Sequence, residues 1–484
     1  MNSKLKQFLP GIIITALTLI TSAVFILILV NTKMLTTKVI CFCGGALFLI
    51  SALIYLFVFN TNHKIRTVCG SVIALLLIVA EVFGSYYILH GISMLTKVTS
   101  PNIEYSECSI FIGSNDSAKE IPDIKDYKFG ILKDIDRDTT NIAISKLENA
   151  YGKDINIKEY QSLADLLDAY FTTKEIDALL LNKDFISILD NIEGLKVDLS
   201  KLREFYTIKA ESEIPPIKEP INFDKKVFTV YITGIDGEGG LARKSRSDVN
   251  ILATVNIETG QVLLISTPRD YYVPLSISYG IPDKLTHAGM YGTQVSLETI
   301  ELLYGIEIDY YFKLHFDGFV NIIDSLGGVD VYSEYNINIS NAGVTVNKGM
   351  NHLTGYEALY FARERKRIPS GERGRGIHQM AVIKAVIDKF MSPSMLQNYT
   401  EILDSISGNF DTNIPYDLIA KLIKNQLQDN PKWNITSYAV NGTGASKKPY
   451  SLGTNAYVMI PDQTTVDKAI SLINQVKNGE VPTV

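Results

Sequence analysis

Cysteine is scarce in this sequence, and its placement excludes more than its number does. Of four cysteines in 484 residues, Cys41, Cys43 and Cys69 fall in long apolar runs, which leaves Cys108 alone in the remainder. No intramolecular disulfide is open to that remainder, and no zinc-site spacing of cysteine and histidine occurs. A single cysteine without an evident histidine partner reads as inert rather than as a nucleophile. A basic excess is also missing, with 46 Lys and Arg against 52 Asp and Glu. A pI near 5.7 and the lack of a helix-turn-helix beside a basic face argue against a nucleic-acid partner. Internal repeats, low-complexity tracts and a glycine-rich phosphate loop between residues 127 and 181 are lacking as well.

What the amino terminus does contain is three apolar runs, 8–30, 39–59 and 68–89, the last interrupted only by Glu81. Each is long enough to cross a hydrocarbon core of roughly 30 Å. Three runs are too many for a cleaved signal peptide, so residues 1–97 are expected to form a retained anchor of three transmembrane helices. Lys4, Lys6, Lys64 and Arg66 slightly outnumber Lys33, Lys38 and Lys97 on the opposite side. That bias places the amino terminus in the cytoplasm and everything after about Lys97 outside the cell. The expected location is the cell membrane, multi-pass, with extracellular soluble domains of the Gram-positive type. Glu81 sits toward the outer end of its span, where a partly hydrated or protonated carboxyl is tolerable.

Between residues 127 and 181, the extended stretches KFGIL, INIKEY and IDALLL alternate with helical stretches near 139–151 and 162–171. This βαβαβ spacing predicts a small α/β unit with parallel pairing. Residues 98–216 are assigned to an accessory domain, a spacer or interaction module. It ends at the linker Glu211-Ser212-Glu213-Ile214-Pro215-Pro216, where two prolines stop regular structure. Residues 217–484 form a further domain.

The rest of the chain is organised around Val227 to Tyr272. Three strands rich in β-branched and apolar residues are expected there: Val227 to Ile235, Val249 to Asn256 and Gln261 to Ser266. A tight turn over residues 256–260 joins the last two, and a glycine-rich basic loop over 237–244 joins the first two. In an up-down-up meander Asp236, Arg246, Asp248, Arg269 and Asp270 converge at one edge. Carboxylates and guanidiniums gathered there are costly unless they pair, or unless a metal and an anionic ligand complete them.

Downstream, a helix near Val295 to Tyr304 and a strand from Tyr310 to Phe316 are expected, with Asp317 capping a helix from Gly318 to Leu326 that Gly327-Gly328 closes. The predicted fold is an α/β (α+β) sandwich, a central mixed sheet flanked by helices. The second informative stretch is Leu353 to Phe390. Thr354 and Glu357 form a capping box that starts a helix at Gly355. Arg363 and Arg365 diverge if helical and share a direction if extended; the extended arrangement is expected. Pro369 and Gly371 mark a loop, and Arg375 precedes a final amphipathic helix.

Arg246, Arg269, Arg363, Arg365 and Arg375, with Lys284, are candidate phosphate ligands, because the rigid guanidinium fork suits bidentate contact with phosphate oxygens. A pyrophosphate matches this richness, and Asp236 and Asp248 suit Mg²⁺, which prefers oxygen ligands shared with phosphate. Taken alone, RKSR and RERKR read as solvated surface charge. Their coincidence with two aspartates at a sheet edge turns the reading toward a site.

The segments GID, RSD, STPRD, KLTHA, LTGYEALYFARER and GRGIHQ, in this order, resemble the signature of the LytR-CpsA-Psr family of cell-wall glycopolymer ligases. Three amino-terminal spans before an accessory domain resemble its capsular-polysaccharide members, of the CpsA or Wzg type. The resemblance covers roughly the last 270 residues. It implies a magnesium-dependent phosphotransferase of capsule or exopolysaccharide biogenesis. Such an enzyme moves a glycopolymer from a polyprenyl pyrophosphate carrier to peptidoglycan through a phosphodiester and releases polyprenyl phosphate. It further implies that Asp236 and Asp248 bind Mg²⁺, and that Arg246, Arg269, Arg363, Arg365, Arg375 and Gln379 bind the pyrophosphate. Lys284 joins them as a further cation, and Asp236, Asp248 and Arg269 stand as the catalytic set. An apolar tunnel for the lipid tail is implied, with 295–303 and 377–390 as candidate walls. Where the family commonly has arginine before the glutamine, this chain has His378, and Arg243 lies near where another arginine is often found. Asp236 and Asp270 both remain open as general base, and His287 and His315 read as packed or surface residues. Rival readings are a lipid pyrophosphate hydrolase using water, and a non-catalytic membrane receptor or regulator that contacts polysaccharide-assembly proteins.

Overall fold

The computed structural model describes residues 3–59, 64–98, 103–189, 198–214, 225–235, 239–392, 408–429 and 431–484. Asp236 and the prolines of the expected linker, Pro215 and Pro216, lie outside the described residues. Two compact units emerge: residues 1–99, 391–407 and 414–432 form one, and 100–390, 408–413 and 433–484 the other.

In the first unit, α1 (Ser3–Asn31), α2 (Thr37–Val58) and α3 (Lys64–Val98) are long and apolar enough to cross a membrane. Large apolar side chains such as Ile20, Leu27, Phe48, Leu76 and Phe83 point outward, as a lipid solvent demands. Polar groups turn inward: Thr18, Ser22 and Ser51 are buried, and so is Glu81. The Ser22 hydroxyl donates to the Glu81 carboxyl. Glu81 is thus accommodated by a polar partner on the neighbouring helix. A helix at Tyr416–Asp429 belongs to the same unit. Its Asp417 pairs with Lys33 Nζ at 2.7 Å, and the Tyr416 hydroxyl donates to the Thr32 carbonyl at 2.9 Å.

The second unit contains two sheets. In the first, β1 (Ile103–Gly113), β2 (Lys128–Leu132), β3 (Asn156–Tyr160), β4 (Ala178–Asn182) and β5 (Leu202–Glu213) take the order β3-β2-β4-β1-β5. The helices α4 (Arg137–Tyr151), α5 (Leu163–Phe171) and the short α6 (Lys183–Ser187) complete it. The parallel pairs β2/β3 and β2/β4 match the expected βαβαβ core. The sequence did not announce β1 and β5, which pair antiparallel along their whole length. Glu211 to Glu213, expected as linker, are the end of β5. Their alternating polar residues fit an edge strand with one solvated face. Cys108, on β1, is fully buried, and burial together with the Asp136 charge pushes its thiol up, so it is inert.

The second sheet contains β6 (Val227–Ile235), β7 (Ser247–Asn256), β8 (Gln261–Ser266), β11 (Tyr310–His315), β16 (Phe410–Thr412) and β17 (Asn434–Ala439), in the order β16-β11-β6-β7-β8-β17. The meander forms as expected: Ile232 faces Ile251, and Val255 faces Val262. Asn256 Oδ1 accepts from Glu258 N and Thr259 N in the tight turn. Because β11 pairs parallel with β6 and β17 with β8, the carboxyl ends of β6, β8, β11 and β17 share one edge. Ligands of open α/β sheets bind at such an edge.

Smaller pairs surround this sheet: β9 (Tyr272–Pro274) with β10 (Pro282–Lys284), β12 (Val329–Ser333) with β15 (Gly349–Leu353), β13 (Ile337–Ile339) with β14 (Val344–Val346), and β18 (Gly442–Lys447) with β19 (Ala456–Pro461). The helices are α7 (Ala288–Tyr291), α8 (Thr293–Tyr304), α9 (Phe316–Ser325), α10 (Gly355–Arg363), α11 (Gly371–Phe390) and α12 (Gln463–Lys477). Leu297 and Ile300 of α8, and Val466, Leu472 and Ile473 of α12, bury one face of the sheet against Tyr231, Leu252, Leu263 and Ile265. The opposite face receives α11, where a Cβ on Gly376 would fall 2.3 Å from Ser266 Oγ. Only glycine permits that approach.

Two expectations are corrected. The cap of α9 is His315, whose Nδ1 accepts from Gly318 N at 3.0 Å, so the helix starts at Phe316 and Asp317 lies in its first turn. The segment expected as a loop around Arg375 is already helix, since α11 starts at Gly371. Packing on Ser266 outweighs the poor helix propensity of its glycines.

Both sheets meet across buried charge. Lys313 of β11, 2% exposed, pairs at 2.6 Å with Glu104 of β1, which also accepts from Thr293 N at 3.1 Å and from the Thr293 hydroxyl. Burial raises the Glu104 carboxyl, but Lys313 and Thr293 outweigh it and hold it below its usual value. Removing Glu104 would strand a buried ammonium. Glu104→Ala should therefore destabilise the second unit by about 3–5 kcal/mol, with Glu104→Gln intermediate, in denaturant titrations of the full chain in detergent.

Candidate functional site

The site lies where β6, β8, β11 and β17 end and β7 begins. Asp248, second residue of β7, receives Arg269 Nη1 at 2.7 Å and the Thr286 hydroxyl at 3.0 Å. Arg375 Nη2 donates to its backbone carbonyl at 3.3 Å. Burial raises the Asp248 carboxyl, yet the charges of Arg269, Arg246 and Arg375 together prevail and lower it, so it stays ionised. Asp270 is the second hub. Lys284 Nζ stands 3.5 Å from it, Arg269 Nε 3.8 Å and Arg365 Nη1 4.0 Å. Burial lowers the Lys284 ammonium, and Asp270 opposes that shift.

Glu372 is the third hub, and the sequence reading missed it. From the first turn of α11 it forms an ion pair with Arg375 and stands 3.6 Å from Arg365. The available signal was the spacing of GERGR, which sets a glutamate one helical turn before an arginine once the segment is helical. Thr286 was missed too. Its turn is locked by Asp283, fully buried, which bonds His287 Nδ1 at 2.7 Å and accepts from Ser451 N at 2.9 Å and from the Ser451 hydroxyl. His287 is therefore a packed residue, as expected.

Of the predicted residues, the structure gathers Arg246, Asp248, Arg269, Lys284, Arg365 and Arg375 within one field of charge. Gln379 lines a small cleft with Ser266, Pro268 and Arg375. Arg363 closes the last turn of α10, and Glu364 after it is extended. The chain does become extended, but one residue later than expected. The Arg363 guanidinium lies 4.4 Å from the Phe316 ring centroid, whereas Arg365 reaches Asp270 and Glu372.

Arg246, Arg269, Lys284, Arg365 and Arg375 make five cations against three carboxylates, Asp248, Asp270 and Glu372. Among the described residues of this cluster, two positive charges are left over. Among the described residues, Arg269 Nε and Arg375 Nε are buried donors without a hydrogen-bond acceptor. Buried donors without partners are rare and expensive, and these two are suited to an anion. For a divalent cation, Asp248 supplies one ionised hard-oxygen donor. Among the described residues no group of three His, Cys, Asp or Glu could hold a metal, and Asp236 lies outside them.

His378 and Arg243 do not join this cluster. His378 is buried and stacks on Phe361 at 4.0 Å, with Nδ1 3.2 Å from the Phe361 carbonyl. Arg243 turns to the other sheet, meeting Asp184 at 2.6 Å and Glu107 at 3.4 Å.

Among the described residues, the cluster at the carboxyl ends of this α/β sheet holds more cations than carboxylates and two buried guanidinium donors without an acceptor, an arrangement suited to an anion. Residues 206–472, more than half of the chain, match the LytR_cpsA_psr family, and the chain belongs to it. Over 208 residues it is 34% identical to the polyisoprenyl-teichoic acid–peptidoglycan teichoic acid transferase TagU of Enterococcus faecalis, covering 42% of this chain and 68% of that protein. The protein of the same name from Bacillus subtilis is 33% identical over 221 residues, covering 43% and 71%. A crystal structure of B. subtilis TagV aligns with 29% identity over 54% of this chain and all of that one, at a TM-score of 0.45.

Burial lowers His378 below its ordinary 6.5, with the Phe361 carbonyl opposing. The unfolded chain therefore takes up the proton first: stability is full above about pH 6.5 and declines as pH falls below it. His378→Phe should keep the ring stack and flatten that decline below about pH 6.5, as thermal melts across pH would record.

Proposed function

We propose that the chain transfers a glycopolymer from a polyprenyl pyrophosphate carrier to peptidoglycan, forming a phosphodiester and releasing polyprenyl phosphate. Two buried guanidinium donors without an acceptor, beside a surplus of positive charge among the described residues, carry this reading. Family membership and relatives named for polyisoprenyl-linked teichoic acid transfer to peptidoglycan support it.

A hydroxyl of the acceptor sugar attacks the phosphorus that bears the glycan. The new O–P bond forms as the bridging P–O bond to the lipid phosphate breaks, and the hydroxyl proton passes to a base or to water. Charge grows on the bridging and equatorial oxygens, and fixed donors stabilise it without reorganising. Arg269 and Arg375 are held for this task by Asp248 and Glu372, and Arg246, Arg365 and Lys284 supply further positive field. Gln379 adds a neutral amide to the cleft. Mg²⁺ held by Asp236 and Asp248 would neutralise phosphate oxygens; the ionised state of Asp248 supports its fit. Asp270, already shared among three cations, serves to position them. The anchor of three apolar helices supports access to a lipid-linked donor, with the second unit outside the cell and an apolar passage beside α8 or α11 for the lipid tail.

Three outcomes test this. Arg269→Ala should lower carrier turnover by about 10²- to 10³-fold, measured as polyprenyl phosphate released from a glycan-pyrophosphate lipid. Supplying a peptidoglycan fragment should yield a phosphodiester-linked product; free glycan phosphate alone would identify a hydrolase, and no turnover a receptor. Protease added to intact cells should remove residues beyond 98, and protection would reverse the orientation.

A further inference from the structure

The loop that joins β6 to β7 is the longest connection in the meander, and both candidate metal ligands border it: Asp236 at its start and Asp248 just past its end. A hairpin loop of this length is ordinarily mobile, with few backbone bonds of its own. Here its described part, residues 239–247, is attached to β1 of the other sheet. Tyr105 N donates to the Ala242 carbonyl at 2.8 Å, and Lys244 N donates to the Tyr105 carbonyl at 2.8 Å. The two segments thus pair as a short parallel bridge between Tyr105 and Arg243. The Tyr105 hydroxyl donates to the Gly239 carbonyl at 2.9 Å.

Side chains fasten the same contact. The Arg243 guanidinium, 7% exposed, spans from Glu107 on β1 to Asp184 on α6. On its other side the loop backs onto Gly289 of α7, where a Cβ would lie 2.3 Å from the Ser245 carbonyl oxygen and 2.6 Å from Ser247 N. The loop is held between a strand of the accessory sheet and α7. Three residues beyond Arg243 comes Arg246, whose charge reaches both Asp248 and Asp184.

We propose that the 103–213 sheet is a positioning element of the catalytic site: Glu107 and Asp184 clamp Arg243, and the clamp fixes the loop that presents Arg246 and Asp248. Arg243 and its partners are positioning residues, since none of them touches the cluster around Arg269. Electrostatic catalysis needs groups already in place when charge develops. A loop free to move would supply the same residues at the wrong distances. The accessory sheet therefore has a function beyond spacing: it removes the freedom of this one loop, and whatever loosened it from β1 would lower turnover without touching the carrier.

This inference rests on the reading of the site as catalytic, so its test carries a readout independent of activity. Hydrogen exchange of the full-length protein in detergent is followed at residues 239–247 in the unmodified chain, Arg243→Met and Arg243→Lys. Arg243→Met should speed exchange of these amides by about tenfold or more while exchange in β7 and β8 holds. It should lower kcat for carrier turnover by about 10- to 100-fold with KM for the carrier nearly unchanged. Arg243→Lys, which keeps an ion pair, should recover most of both losses. If Arg243→Met melts too early to compare, Asp184→Asn takes its place. Unchanged loop exchange, or a loss of kcat that vanishes when the variants are compared at equal distance below their melting temperatures, overturns the clamp. If the unmodified protein turns over no carrier, the functional reading fails and loop exchange alone decides the clamp.

Discussion

Cations brought to one sheet edge repel each other, and everything around this site follows from how that repulsion is contained. Two like charges about 4 Å apart near a protein surface oppose one another by roughly 4 kcal/mol, so five could not share the edge unaided. Each of three carboxylates is placed between cations: Asp248 against Arg269, Asp270 among Lys284, Arg269 and Arg365, and Glu372 between Arg365 and Arg375. These pairs hold the guanidiniums in fixed directions but leave the described residues of the cluster with two positive charges in excess. An anion at this edge would offset the surplus and relieve part of that repulsion.

The strand half of this arrangement was legible in the sequence because period and polarity agree there. β-branched runs separated by an Asn-to-Gly turn and a basic loop admit few alternatives, and a meander forces its tips together. The helical half was only partly legible. The capping box of Thr354 and Glu357 fixed the start of α10, yet the glycines of GERGRG concealed the start of α11. Their purpose is tertiary: Gly376 is small so that α11 can lie on Ser266, and no local rule reports such a contact. Glu372 was overlooked for the same reason, since its pairing with Arg375 exists only if the segment is helical. Asp283 was overlooked too: its spacing to His287 is local, but its bonds from Ser451 arise only through the fold.

Departures from a family pattern also change meaning once packing is visible. A histidine in place of an arginine before Gln379 reads in sequence as a weakened anion site. In the fold His378 points away from the cluster and fills the space against Phe361, so the exchange concerns the seam between α10 and α11. Arg243 shows the converse. It stands near enough in sequence to replace a missing site arginine, but Asp184 and Glu107 hold it where it cannot reach the anion. Sequence neighbourhood measures reach along the chain, whereas ion pairs determine where a flexible side chain spends its time.

The family match begins at residue 206, inside β5, the last strand of the accessory sheet. Glu104, Glu107 and Asp184 all precede it. The family-matching residues therefore lie in one part of the chain, while a carboxylate that neutralises buried Lys313 and two that hold Arg243 are supplied by another. Such loans bind the two parts energetically. A buried ammonium left without Glu104, or a guanidinium left without Asp184, would be a buried charge without its partner, which is strongly destabilising. The accessory sheet is coupled to the catalytic one by charge, and charge coupling of this kind is directional: it fixes which strand faces which loop, as apolar contact alone would not.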